Sequence, residues 1–135
     1  MSRWLFVMLC FGILFISGCS REVRASDVAG SYTANHGKGI DTLEINADGT
    51  YSHSYKSTLE GDDTAFSQDG KWELEQGGGR IVFERYIKGW SWRPGAEVDL
   101  TPRSKNTVVK KSIIAGKVKI LIDVDSNYWY EKQES

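Results

Sequence analysis

From Val28 onward, segments in which apolar residues return at every second position recur, and no window of a dozen residues carries a stripe at helical spacing. That pattern folds into sheet. Val28 to Thr33 reads as a first strand. Leu43 and Ile45 alternate with Glu44 and Asn46, and Ala47-Asp48-Gly49 supplies a turn where positive φ costs little. Tyr51, His53 and Tyr55 then alternate with Ser52, Ser54 and Lys56 as the return strand. Trp72 and Leu74 mark the next strand, and Gly77-Gly78-Gly79 turns the chain into Arg80 to Tyr86. Val98 and Leu100 mark another, stopped at Pro102, which cannot donate to a ladder. Thr107 to Ile114 follows, with Ala115-Gly116 as its turn. Val118, Ile120, Ile122 and Val124 form the clearest one-sided stripe, and Asp125-Ser126-Asn127 leads into Tyr128-Trp129-Tyr130. Eight or nine strands joined by short turns predict an all-β, antiparallel up-and-down meander, and closing it into a small barrel removes exposed edges.

The N-terminus follows different rules. Arg3 gives a positive start, and Trp4 to Ile16 is free of charge. At about 1.5 Å per helical residue this run spans about 20 Å, short of the ~30 Å hydrocarbon core, so a cleaved signal helix fits better than a membrane span. The run ends in Ile16-Ser17-Gly18-Cys19, which resembles the lipobox of bacterial lipoproteins, with Ile16 in the place usually held by Leu. The resemblance implies cleavage before Cys19 by signal peptidase II, diacylglycerol on its sulfur and an acylated amine. It divides the chain into a signal peptide (1–18), a lipidated Cys and tether (19–27) and a barrel domain (28–135). Ser20 at the second mature position implies the periplasmic side of the outer membrane in a Gram-negative envelope; otherwise the anchor is the plasma membrane surface. Several acyl chains together hold a protein stably on a bilayer.

Cys10 departs with the signal and the sulfur of Cys19 is occupied, so the mature domain folds without an internal disulfide. Seventeen Lys and Arg against eighteen Asp and Glu, a formal charge of −1, exclude a general nucleic-acid binder.

Ala29-Gly30-Ser31-Tyr32, then Thr42-Leu43-Glu44-Ile45-Asn46-Ala47-Asp48-Gly49-Thr50-Tyr51, then Gly70-Lys71-Trp72-Glu73-Leu74 resemble the pattern of lipocalin-like bacterial lipoproteins, with Tyr32 where the lipocalin signature has Trp. The resemblance implies a lipocalin-like barrel of eight or nine strands.

Candidate contacts fall in two groups. Tyr86-Ile87-Lys88-Gly89-Trp90-Ser91-Trp92-Arg93-Pro94-Gly95 reads as a loop whose Trp90 and Trp92, flanked by Lys88 and Arg93, either plug one barrel end or present a surface for a sugar ring, lipid headgroups or a protein partner. Tyr51, His53, Tyr55, Trp72, Phe83, Tyr128 and Tyr130 either line a cavity for a small hydrophobic or glycan ligand or fill the barrel interior. His36 and His53 lack the spacing of a metal site, and Asp62, Asp63 and Asp69 lack that of a calcium loop. Arg103, Lys105, Lys110, Lys111, Lys117 and Lys119 concentrate positive charge in the C-terminal third. With no free mature Cys, no Gly-x-Ser-x-Gly and no His beside an obvious nucleophile, catalysis is not expected. The expected role is non-catalytic: a binding or inhibitor module for an envelope ligand or protein, with a structural or assembly accessory as the alternative. No cofactor is expected beyond the lipid on Cys19.

Overall fold

The computed structural model describes residues 22–91, 97–112, 116–123 and 127–134. The lipobox with Cys19, and Trp92, Arg93 and Val124, lie outside the described residues. One turn of helix, α1 (Ala25–Val28), precedes β1 (Gly30–Asn35), β2 (Gly39–Ile45), β3 (Thr50–Ser57), β4 (Ala65–Leu74), β5 (Arg80–Tyr86), β6 (Arg103–Lys111), β7 (Val118–Asp123) and β8 (Tyr128–Lys132). Each strand pairs antiparallel with the next, and β8 returns to β1 through Tyr32↔Lys132 and Thr33↔Glu131, closing the barrel. This is the up-and-down meander expected from the alternation.

The inward phase is apolar and aromatic. Tyr32, Leu43, Tyr51, Ile81, Phe83, Ile120 and Tyr130 are almost wholly buried. Two β-bulges adjust that phase. Between Phe83 and Tyr86 the register with β6 shifts, and Arg85 takes a left-handed φ of 57°. Three residues apart in a regular strand, Phe83 and Tyr86 would face opposite sides; the bulge turns both inward. A second shift, between Leu121 and Asp123 against β8, lies toward the same end.

At the end where β1 starts, the chain before the barrel is part of the fold. Val23 and Val28 are buried in the core, and Tyr32 donates its hydroxyl to the Val28 carbonyl at 2.5 Å. Lys111 meets Asp27 at 2.6 Å, and Lys132 donates to the Asp27 carbonyl at 2.7 Å. Burial of Val23 therefore packs the later part of the tether expected over 19–27 against the barrel.

Several strand boundaries also differ from expectation; the strand expected from Thr107 begins at Arg103 and ends at Lys111. The first strand starts at Gly30, because Ala25–Val28 coils to bring Val28 under the barrel. No strand forms at Val98 and Leu100; Leu100 is exposed in the long β5–β6 connection, and pairing with β5 begins at Arg103, beyond Pro102. β4 starts as early as Ala65, where Ser67, Gln68 and Asp69 hide the alternation behind polar residues on both faces.

Candidate functional site

Strand directions give the barrel two unlike ends. The N-terminal segment, the turns after β2, β4 and β6, and the C-terminus form the base. The connections after β1, β3, β5 and β7 form the top, and here the polar chemistry collects.

Asp41 stands in phase with the buried Leu43 and Ile45, which turns a carboxylate into the interior. Its two oxygens accept from His36 Nε2 at 2.8 Å and His53 Nε2 at 2.6 Å. A carboxylate only accepts, so both imidazoles donate from Nε2. His53 Nδ1 then accepts from the Gln68 amide at 3.3 Å, whereas His36 Nδ1 is buried with no hydrogen-bond partner among the described residues. Burial would raise the Asp41 carboxyl, but the hydrogen bonds from His36 and His53 outweigh it and hold the carboxyl below its ordinary value. His53 stacks on Tyr86 with centroids 4.7 Å apart, and the Tyr86 hydroxyl lies 2.8 Å from that of Tyr130. Burial, with Asp41 nearby, pushes both phenols well above their usual range. The cluster has the residue types of a proton relay, yet both imidazoles have no exposed side-chain area. It reads as a cross-brace of the interior. Among the described residues no group of three or more His, Cys, Asp or Glu is placed to hold a metal ion.

Trp90 covers this cluster. It is 5% exposed and lies 4.3 Å from the His36 ring, with Tyr128 edge-on at 6.3 Å. Gly89 sits against the rings of Tyr55 and Phe66 with no space for a Cβ, and Lys38 donates to the Ser91 carbonyl. Of the two arrangements open to this loop, Trp90 takes the plug. Tyr51, Tyr55 and Trp72 are likewise packed inside, held by hydrogen bonds to the carbonyls of Glu84, Lys38 and Asn46. The aromatic interior is thus filled by side chains, and Tyr51, Tyr55 and Trp72 are buried within it.

The open space lies beside the plug. The backbone ladder between β6 and β7 runs from Lys111↔Val118 to Val109↔Ile120. Above it side chains bridge the seam: Thr107 donates to the Leu121 carbonyl at 2.7 Å and Lys105 to that of Ile122 at 2.6 Å. A cleft of about 540 Å³ opens at this end, lined among others by Tyr86, Lys88, Trp90, Arg103, Ser104 and Lys105. Lys88 pairs with Asp123 at 2.5 Å and lies 4.2 Å from the Trp90 ring centroid. Lys105 is in phase with the buried Thr107 and Val109, so its ammonium enters the top of the barrel, 4.8 Å from the Tyr86 ring. Burial first, then the nearby Lys88 charge, lower its pKa to about 8. Compared with protein-family models, curated proteins and solved structures, the chain matches none.

The basic residues of the C-terminal third do not form one patch. Lys117 pairs with Glu134, Lys119 with Glu131, and Lys111 with Asp27 at the base, whereas Arg103 and Lys105 stand at the top. Sequence reasoning missed Asp41 and the inward role of Lys105. The available signal was a charged residue falling in phase with an apolar stripe.

Proposed function

We propose that this chain is a lipid-anchored envelope lipoprotein with a lipocalin-like barrel, acting without catalysis by binding an envelope ligand or protein at the barrel end that carries Trp90. The observation that carries the reading is the docking of the N-terminal segment at the opposite end. Val23 is buried at the base, and from Cys19 to Val23 an extended chain reaches at most about 14 Å. Acylation of Cys19 therefore holds the base against the headgroups and turns the cleft away from the bilayer. The packed interior supports binding in this cleft rather than inside the barrel, since ligand sites are open concavities with apolar walls and a few polar groups. With Ser20 behind Cys19, the anchor is assigned to the periplasmic side of the outer membrane in a Gram-negative cell.

Intact-mass measurement on the native protein tests the anchor: the expected product starts at Cys19 and carries acyl chains, and a free thiol there would refute it. Site-specific photocrosslinking in cells tests the binding face. A probe at Thr101, exposed beside the cleft, is expected to capture a partner or lose reactivity when a ligand binds; a probe at Lys117, at the base, is not. Capture from base or wall positions alone would favour the second reading, a structural or assembly accessory, which the side-chain-filled interior also suits.

A further inference from the structure

We infer that the cleft takes a small carboxylate-bearing ligand, its carboxylate on the Lys105 ammonium and its apolar body against Trp90 and Tyr86. The inference rests on the binding-face reading above and adds the chemistry of the ligand.

Charge compensation singles out Lys105 among the three cations of the cleft. Lys88 is held by Asp123 at 2.5 Å and Arg103 by Asp99 at 2.6 Å. Lys105 has the Ile122 carbonyl and the face of Tyr86; the carboxylates of Asp123 and Asp41 act on it through space, and among the described residues none lies within ion-pair distance of it. An ammonium taken out of water beside another ammonium is costly, and an anion placed on it restores the compensation. The remaining carboxylate of the lining, Glu97, is exposed on the β5–β6 connection, where solvent screens it.

The same local charge balance selects a monoanion. Among the described residues of the lining, Lys88 and Arg103 are already paired and one positive charge is open, and a dianion would leave its second charge facing Asp123, Asp99 and Glu97. The walls set the rest of the ligand. Trp90 and Tyr86, each only 5% exposed, line the cleft beside the ammonium, Ser104 adds a hydroxyl at the lining, and about 540 Å³ suits one small molecule.

The geometry explains why the lysine sits there. A residue needed only for solubility would take the outward phase of β6. Lys105 takes the inward phase, opposite Phe83 in the register, next to a bulge that keeps Tyr86 on the same side. The bulge, the broken β6–β7 ladder and the inward lysine all occur at the open end, and together they leave a cationic notch beside a rigid aromatic floor.

Benzoate and its neutral counterpart benzyl alcohol, titrated into the lipidated full chain in nanodiscs, test this by NMR of the Lys105 side chain. Benzoate is expected to bind at least about ten-fold more tightly than benzyl alcohol, as a charge-assisted hydrogen bond implies. Saturation should raise the Lys105 titration midpoint by about half a pH unit or more, and benzoate affinity should fall as pH rises past that midpoint. Lys105→Met should weaken benzoate about ten-fold, with Lys105→Arg staying near the parent. Ser104→Glu, at an exposed position, should weaken it as well by putting a competing carboxylate at the notch, and it covers the case in which Lys105→Met misfolds. Equal affinity for the two probes, an unmoved Lys105 midpoint, or benzoate binding indifferent to both variants would overturn the inference. If a Thr101 photoprobe still captures a partner while benzoate ignores Lys105, the carboxylate assignment fails and the binding face stands; loss of Thr101 capture as well removes the face itself.

Discussion

At Asp41 one carboxylate satisfies two imidazoles, and alanine there would leave His36 and His53 buried without their shared acceptor. A loss of about 3–5 kcal/mol is expected for Asp41→Ala in urea unfolding, with Asp41→Asn milder because one acceptor remains. Acid should act on the same residue. The Asp41 carboxyl lies below its ordinary 3.8 in the folded chain, so its contribution is complete above the unfolded value and is lost as pH falls through the folded one. Stability measured from pH 6 down to pH 2 should therefore fall less steeply in Asp41→Asn than in the parent. Lys105 has the opposite sign. Its pKa is about 8 in the folded chain against 10.5 ordinarily, so the unfolded chain binds the extra proton between those values and stability rises with pH. From pH 7.5 to 9.5 the gain should be about 2 kcal/mol, and Lys105→Met should abolish it. Both residues are legible in the sequence as charges in phase with apolar stripes. Their partners are not, because His36 lies in a turn outside any alternation and the Ile122 carbonyl is freed by a bulge that no residue pattern announces.

At the level of elements, strands with one dry face announced themselves. β3, β5 and β7 fall where alternation put them, whereas β2 begins at Gly39, ahead of the Leu43 where its alternation starts, because Asp41 stands inward and Ile40 outward. β4 is half exposed along most of its length, so burial left little imprint on its sequence, and only the part near Trp72 was legible. Ser20 to Ser26 is polar on average, the composition of a tether, but the single buried Val23 outweighs that average. Gly78 shows what holds it. Its φ is +69°, and a Cβ there would run into the backbone of Val23. Gly78→Ala should cost about 1–3 kcal/mol from the left-handed backbone and the displaced segment. Gly79→Ala, whose Cβ would meet nothing within 4 Å, should stay within about 0.5 kcal/mol of the parent. Hydrogen exchange should then speed up at 22–28 in Gly78→Ala and not in Gly79→Ala; equal protection in both would mean that the turn does not clamp the segment. Trp90→Ala belongs with these packing changes, and a loss of about 3–5 kcal/mol is expected from the cavity over His36.

For the whole molecule, the two barrel ends make the anchor and the cleft a question of distance. β3 has eight residues, about 26 Å of strand, and at the tilt usual for such barrels it rises about 20 Å. With the base tied close to Cys19 by the buried Val23, the top should stand beyond the headgroup layer. The cysteine content makes this measurable. The chain has two Cys, of which Cys10 is expected to leave with the signal and Cys19 to carry lipid, so one introduced thiol is the only label site. A fluorophore at Lys117→Cys, in the base turn after β6, should be strongly quenched by nitroxide placed on the lipid headgroups. The same fluorophore at Thr101→Cys, beside the cleft, should be quenched little. Both positions are exposed, so neither label disturbs the core. Equal quenching would mean that the barrel lies on its side, and the reverse order would put the cleft against lipid; either outcome removes the outward-facing binding end. The expected order, by contrast, leaves the Lys105 notch open to the aqueous side of the membrane, where a small carboxylate reaches it by diffusion without first crossing lipid.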